Sequence, residues 1–469
     1  LDSYAGQDDL RAACRAAWKE YSGARRRLDE LVAQFIAEGP TEDEVRRAAT
    51  STVAGTIRGL EQVGGFGGKA VTLASGEVLA DDPSFYARQF EILATLTPGE
   101  VQAAMQRWMT RPSFTLVLEP GERDGSYEEA AGVAEAAGDG DPAEEVTVTK
   151  VRPAPPIDSV AELDFPEVQH TTLANGMALH YAQRNAIPAT YVTLSFDAGS
   201  TADPADKRGL EGLALGLFEE GTTTMSSREI AETSERLGAN ISLGGGADRS
   251  SFTLSALSAN LVPSLELLSD IVRNPAFAQS EIDRVRAQRI TGVEQELRTP
   301  SAIAARTISP LIYGAESPYA GPDTGTVASL SAITREDITG FKDRWIRPDN
   351  GAVFVVSDRP LAEIEAALNG VLGDWQAPTV AKGTKSFDAA PAAPAESRIV
   401  LVNRPNSPQS YIYGGQLTSV DPRGETYVDF LNGNNALGGN FLARLNMNLR
   451  ETKGWSYGVS GFPQTREKA

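Results

Sequence analysis

Cysteine is almost absent from this chain of 469 residues, which contains Cys14 alone. A disulfide framework or a cysteine-ligated zinc site within the chain is therefore excluded. Long apolar runs are missing too, since none approaches the roughly 18 residues that indicate a membrane span. Basic residues are outnumbered, with 43 Lys and Arg against 63 Asp and Glu. The resulting net charge of −20 argues against nucleic-acid binding through electrostatics.

Histidine is limited to His170 and His180. They flank an Asn175-Gly176 dipeptide whose alternating apolar and polar neighbours predict a β-hairpin. The spacing favours two surface residues over a metal site. With no further imidazole in the chain, a histidine-based catalytic apparatus is not expected within it.

The ends of the sequence carry little information about targeting. The chain starts at Leu1 with neither an initiator methionine nor a signal-peptide pattern, and it stops soon after a predicted strand. We therefore expect both ends to be cut from a longer protein.

The segment from Arg444 to Gly458 has the clearest local pattern. An apolar residue recurs at helical spacing, which predicts one face of a helix formed by Leu442, Leu445 and Leu449. Lys453 and Gly454 supply a cation in the last turn and a residue that tolerates the left-handed conformation, so the helix is expected to end there.

A strand is predicted to follow this helix at Trp455–Ser460. Arg450 would then lie at a helix end and Tyr457 on the adjoining strand, as two hydrogen-bond donors able to converge on one carbonyl or oxyanion. The alternative is an ordinary helix–strand junction with a solvated arginine and a half-buried tyrosine.

The chain repeats itself over roughly 220 to 240 residues. A Thr-capped helix, an Arg-Trp pair and an Arg-Pro pair before an apolar strand occur in both 97–118 and 334–356. Matching Arg and Pro residues also precede predicted strands at Tyr191–Phe196 and Tyr411–Gly415. A repeat of this length indicates tandem homologous domains and not a solenoid.

Two segments of biased composition separate the repeats. Residues 121–164 are rich in Ala, Gly, Pro and acidic residues, and residues 377–396 contain an Ala-Pro-rich run. Such segments bury too little apolar area to fold, so both are predicted to be linkers.

The repeat between the linkers is predicted to have the α+β fold. Ser226 begins a capping box and Gly238 ends the same helix. Strands at Asn240–Gly244 and Ser250–Ser255 follow, and then two long helices. The pattern predicts an antiparallel sheet with helices packed on one face.

Several short motifs occur in a family-specific order, namely Thr172-Leu173-Ala174-Asn175-Gly176, Phe196-Asp197-Ala198-Gly199-Ser200, Glu220-Gly221-Thr222, Asn274-Pro275-Ala276-Phe277 and Arg344-Trp345 followed by Arg347-Pro348-Asp349-Asn350. This order resembles the pitrilysin/insulinase-type zinc metallopeptidases, which include the mitochondrial processing peptidase. The resemblance implies the fused bacterial type, in which four homologous domains form a clamshell that encloses a peptide.

The resemblance also implies where zinc is held and where it is not. In the family, His-x-x-Glu-His on a helix of the first domain binds zinc together with a downstream Glu. The corresponding positions here are Gly212, Leu215 and Gly216, and Glu294, near the downstream ligand position, is better interpreted as part of a solvated helix face. We therefore expect a degenerate domain that binds no metal, with the family's zinc bound elsewhere in the full-length enzyme.

By the same register, the chain is divided into the later half of a second peptidase-like domain (1–120), a linker (121–164), a complete zinc-less domain (165–376), a second linker (377–396) and the first part of a fourth domain (397–469). The zinc-bearing domain is expected to lie before residue 1.

In active family members an Arg and a Tyr seven residues apart in the fourth domain contact the substrate carbonyl and stabilise the oxyanion, and Arg450 and Tyr457 match this spacing. The first hypothesis is therefore the non-zinc part of a zinc endopeptidase, with a peptide as substrate and a zinc-bearing N-terminal half as partner. The second is a catalytically inactive structural subunit, like the core proteins of respiratory complexes. A periplasmic location is expected from the resemblance alone.

Overall fold

The computed structural model describes residues 26–112, 165–387, 396–405 and 409–468, with Gly23, Phe114 and Ser407. The chain divides into two compact units, Leu1–Val45 with Ile92–Phe165 and Arg46–Glu91 with Pro166–Ala469. No helix in the described ranges is long and apolar enough to cross a bilayer.

The first unit is helical where it is described. It contains α1 (26–38), the start of α2 (Glu42–Gly59), the end of α4 (Phe85–Thr95) and α5 (Pro98–Trp108). Gln102 fixes α5 to α1, because its amide nitrogen donates to the Ala37 carbonyl at 2.7 Å. The Thr97 cap is confirmed as a capping box with Glu100, whereas most of the strand predicted after Phe114 lies outside the described residues.

The second unit is built on a six-stranded sheet. Its strands are β1 (Val168–Thr172), β2 (Ala178–Gln183), β3 (Ala189–Phe196), β4 (Asn240–Gly245), β5 (Ser250–Leu257) and β6 (Gly351–Ser357), arranged in the order β1-β2-β6-β3-β5-β4. The predicted hairpin of the two histidines is confirmed as β1 and β2, with His170 opposite His180.

The prediction of a wholly antiparallel sheet is wrong at one pair, since β2 and β6 run parallel. The reason is geometric. β2 and β3 are joined by a short loop and run in opposite directions, and β6 lies between them. A strand inserted between two antiparallel strands must be parallel to one of them, and β6 is antiparallel to β3.

Helices cover one face of this sheet and confirm the α+β class. The helices that lie wholly in this unit are α6 (Leu210–Leu217), α7 (Ser227–Leu237), α8 (Leu261–Arg273), α9 (Gln279–Glu296), α10 (Pro300–Tyr313), α11 (Val327–Ala332), α12 (Arg335–Trp345) and α13 (Leu361–Leu372), besides α3 (Lys69–Ala80) and the short C-terminal helices described below. Inward side chains such as Leu194, Phe252 and Val353 are fully buried against Leu213 and Leu268 of the helices. On the other face, Phe354 and Val356 remain 45% and 38% exposed.

The C-terminal part corrects two strand predictions. Neither Tyr411–Gly415 nor Trp455–Ser460 forms a strand, and 396–468 contains only α14 (Thr426–Asn434), α15 (Arg444–Asn446) and two π-helical segments among its described residues. Alternation of apolar and polar residues specifies an extended backbone, but a strand also needs a hydrogen-bonded neighbour. Ile412 is accordingly 92% exposed.

The cap of α12 allows a stability test. Thr334 Oγ1 accepts from the Asp337 amide at 3.2 Å, and the Asp337 carboxylate accepts from the Thr334 amide at 2.8 Å. Thr334→Ala should therefore lower the free energy of unfolding by about 1 kcal/mol, measured by urea denaturation. Ser331→Ala is the control, because that hydroxyl bonds only within its own helix, to the Val327 carbonyl. Equal stability of the two variants would contradict a stabilising cap.

Candidate functional site

The segment that carries Arg450 begins with the single turn α15 and continues as a π-helical segment, Met447–Thr452. It ends as predicted at Gly454, which has a φ of +63°. The Gly454 amide donates to the Arg450 carbonyl at 3.1 Å, and the Trp455 amide donates to the Leu449 carbonyl at 2.9 Å. These two bonds turn the chain back toward Arg450. The predicted apolar face is poorly formed, because Leu442 precedes the helix and is 75% exposed.

Arg450 and Tyr457 are brought together by this turn. The Arg450 Cζ atom lies 5.4 Å from the centre of the Tyr457 ring and 4.5 Å from that of Phe441. The guanidinium also donates to Glu451 Oε1 at 2.8 Å. Tyr457 is 92% exposed, so its phenol faces solvent. The pair is thus a cation stacked on two rings beside an accessible hydroxyl.

Asn446 positions the segment that contains Tyr457, a role that the sequence analysis missed. Its side chain is buried, and it donates to the Phe441 carbonyl at 2.7 Å while accepting from the Val459 amide at 3.1 Å. The Gly461 amide then bonds to the Gly438 carbonyl at 2.8 Å. The Val459 and Gly461 amides therefore have partners other than a neighbouring strand. The signal in the sequence that could have indicated this role was the position of Asn446, a polar residue directly after the apolar Leu445.

A cavity of about 760 Å³ lies next to this segment. Its walls include aromatic and aliphatic residues of the C-terminal part and of α10, among them Tyr411, Tyr413, Phe430, Trp455, Phe462, Ile308 and Ile312. Leu449 and Ser456 contribute to the lining, whereas Arg450 and Tyr457 do not. The predicted pair therefore lies beside the cavity and outside its lining.

The positions predicted to correspond to the zinc motif lie on α6, and a cation fills the space beside them. A Cβ atom added to Gly212 would lie 3.1 Å from Arg289 Nη1, and one added to Gly216 would lie 3.1 Å from Arg289 Nη2. Leu215 points into the core and is 5% exposed. The absence of side chains on the two glycines is what admits the guanidinium of α9.

Glu211, which precedes these positions, is a buried carboxyl near Arg289. Burial raises its pKa to about 7, while a hydrogen bond from Ser250 and the charge of Arg289 act in the opposite direction. The Ser250 hydroxyl donates to Glu211 Oε1 at 2.7 Å. Burial shifts the pKa of Arg289 in the other direction, downward, and the charge of Glu211 acts against that shift. The site therefore holds a buried acid and a partly buried base that stabilise each other's charge.

Asp203 caps the same helix from a preceding turn. Its carboxylate accepts from the amides of Gly209 and Glu211, each at 2.8 Å. Burial raises its pKa to about 7 despite these bonds. The start of α6 is thus fixed by an acid that satisfies the amide of the residue before the helix and one amide of its first turn.

The residues present do not fit a zinc ion. Gly212, Leu215 and Gly216 offer no donor atom, and the Arg289 guanidinium lies beside both glycines. Glu294 is exposed, as expected for a solvated helix face. Within the described ranges no group of three or more His, Cys, Asp and Glu side chains is arranged to hold a metal ion.

Comparison with known proteins finds two models of one peptidase family on separate parts of the chain. A model described as Insulinase (Peptidase family M16) matches residues 180–310, and one described as Peptidase M16 inactive domain matches 332–468. The uncharacterized zinc protease YmxG of Bacillus subtilis is 22% identical, with 64% of this chain and 71% of that protein covered. The non-peptidase homolog YmxG of Helicobacter pylori is 19% identical, with 60% and 63% covered.

Among solved structures, a peptidase M16 inactive domain from Pseudomonas fluorescens has a TM-score of 0.55 and 26% identity. The match covers 63% of this chain and 71% of that one. The chain spans less than two thirds of the Helicobacter protein. The chain belongs to the insulinase (M16) family of peptidases.

Proposed function

We propose that this chain is the non-zinc part of a zinc-dependent endopeptidase that encloses peptides. It supplies substrate-binding surface and the Arg450–Tyr457 pair to a zinc site held by another half of the enzyme, fused or separate. The observation that carries the proposal is the approach of the Arg450 guanidinium to the Tyr457 ring at 5.4 Å, with the phenol open to solvent. A guanidinium fork and a phenolic O–H are suited to binding a peptide carbonyl whose oxygen gains negative charge.

The domain around α6 has a structural role in this proposal. Arg289 beside Gly212 and Gly216 supports it, because a guanidinium neutralises the buried Glu211 without any metal. The name of the Pseudomonas relative, an inactive domain, agrees with such a role. Zinc then belongs to the complete enzyme and not to this chain, and the periplasmic location stays a prediction.

A second candidate is a catalytically inactive structural or partner subunit of the same fold. The Helicobacter relative named a non-peptidase homolog favours it. The two candidates differ in what they require of Arg450 and Tyr457, since an inactive subunit needs neither donor for turnover. Mixing the chain with a zinc-bearing half and measuring cleavage of an unstructured peptide separates them. Cleavage that depends on Arg450 and Tyr457 supports the first candidate, whereas cleavage that is unchanged when both are replaced, or no cleavage by a folded complex, supports the second.

The chain by itself should retain no zinc and cleave no peptide, because the predicted motif positions carry no ligand. Zinc content after dialysis against a chelator, measured by mass spectrometry, is expected to be far below one ion per chain. Hydrolysis of a fluorogenic peptide should not exceed the buffer blank. One chelator-resistant zinc per chain would contradict the assignment of a degenerate domain.

A further inference from the structure

The two histidines of the chain form a single cross-strand pair. His170 on β1 lies directly opposite His180 on β2, and their Nδ1 atoms are 2.8 Å apart. These are the only imidazoles among 469 residues. β1 is the edge strand of the sheet, and the His170 side chain is exposed. The pair is therefore accessible from solvent.

Phe354 of the neighbouring β6 holds one member of the pair. Its ring is stacked on the His180 imidazole, with 4.8 Å between centres and 17° between planes. The His170 ring meets that of His180 edge-on, at 83°. The His180 imidazole is thus held against the sheet, and its Nδ1 atom shares a hydrogen bond with that of His170, in which one nitrogen donates and the other accepts. An ion that binds both Nδ1 atoms replaces this bond, and the donor imidazole then carries its proton on Nε2.

The separation of the two nitrogens suits a metal ion that prefers square-planar coordination. Two ligands at about 2.0 Å from an ion and at right angles to each other lie about 2.8 Å apart. Imidazole is a preferred ligand of copper, nickel and zinc, and Cu²⁺ binds such nitrogen sites most tightly among the divalent ions of its row. Water can fill the remaining positions at this exposed edge.

We propose that His170 and His180 form a two-imidazole site for a divalent transition-metal ion, with Cu²⁺ as the best fit. The site binds reversibly, because it has only two protein ligands. It is on β1 and β2, apart from α6, and it is independent of the proposed peptidase function. A chelator empties it, so it agrees with the expected lack of retained zinc.

The test is a Cu²⁺ titration of the full chain at neutral pH, followed by calorimetry and by electron paramagnetic resonance. We expect one ion per chain and a spectrum with nitrogen ligands. His170→Ala and His180→Ala should each weaken binding by about tenfold or more, since the loss of a ligand costs at least as much as the loss of a supporting residue. Thr172→Ala, on the same edge strand, is the matched control and should bind as the wild type does.

Selective ¹⁵N-histidine labelling gives a second readout, because it reports these two side chains alone. Substoichiometric Cu²⁺ should broaden both imidazole signals together. Equal affinity in the wild type and in the His170→Ala/His180→Ala variant, or no binding by the wild type, would overturn the proposal. Broadening of only one imidazole would overturn it as well, since the ion would then have a single histidine ligand.

Discussion

Replacing Arg450 by alanine in the assembled peptidase is expected to lower turnover by about ten- to a thousandfold, the range for loss of one oxyanion donor. The physical reason is that the guanidinium would meet the substrate oxygen most strongly when that oxygen carries charge. Tyr457→Phe should have an effect in the same range, because it removes the hydroxyl and leaves the ring on which Arg450 stacks. The measurement is kcat and kcat/KM for peptide cleavage.

Two controls separate this effect from misfolding. Arg444→Ala removes an exposed cation from the same helical segment and should leave turnover unchanged. Zinc content should be the same in the wild type and in all three variants, since the pair binds no metal. Unchanged kinetics in both Arg450→Ala and Tyr457→Phe would exclude the proposed role and favour the inactive-subunit alternative.

Replacing Glu211 by glutamine is expected to stabilise the chain at pH 8 and to change little at pH 4. The folded-state pKa of Glu211 is about 7, raised by burial from an ordinary 4.5. Between these two values the folded protein holds a proton that the unfolded chain has released, so the free energy of unfolding falls as the pH rises. Glutamine does not titrate, and the difference between variant and wild type should reach at most about 3 kcal/mol above pH 7.

Replacing Arg289 tests whether the buried charge of Glu211 causes this pH dependence of stability. Its charge lowers the pKa of Glu211, so Arg289→Met should reduce stability at pH 8, where Glu211 is ionised, but not at pH 4. The double variant Glu211→Gln/Arg289→Met should lose this pH-dependent deficit, because no buried carboxylate remains. The free energy of unfolding of the wild type, the two single variants and the double variant is measured by urea denaturation at both pH values. If the free energy of unfolding changed with pH in the same way in the wild type and in Glu211→Gln, titration of the buried Glu211 would not be the cause of the pH dependence.

Local signals in the sequence predicted much of this fold. The capping boxes at Thr97, Ser226 and Thr334 form as expected, and Gly238 and Gly454 end their helices in the left-handed region. Each of these depends on residues within about four positions of one another. The β-hairpin that carries the two histidines was predicted correctly for the same reason.

The contacts that the sequence analysis missed are non-local. Arg289 reaches α6 from α9, and nothing in its own neighbourhood indicates that two glycines make room for it. The failed strand at Trp455–Ser460 has a similar origin, because an alternating pattern does not reveal whether a partner strand is available. Asn446 supplies the hydrogen bond to that segment instead. The domain boundaries and the catalytic role of Arg450 and Tyr457 stay predictions.

The position of β6 between β2 and β3 has a consequence for how the chain is made. Ala178 pairs with Ala352, and Phe196 pairs with Gly351, across most of the domain's length. During synthesis β2 and β3 therefore emerge long before the strand that joins them. Until β6 arrives, the nascent chain exposes two unpaired strand edges, the kind of surface on which chains associate wrongly. The sheet can close only after nearly all its covering helices have been synthesised, which makes completion of this domain a late, non-local event.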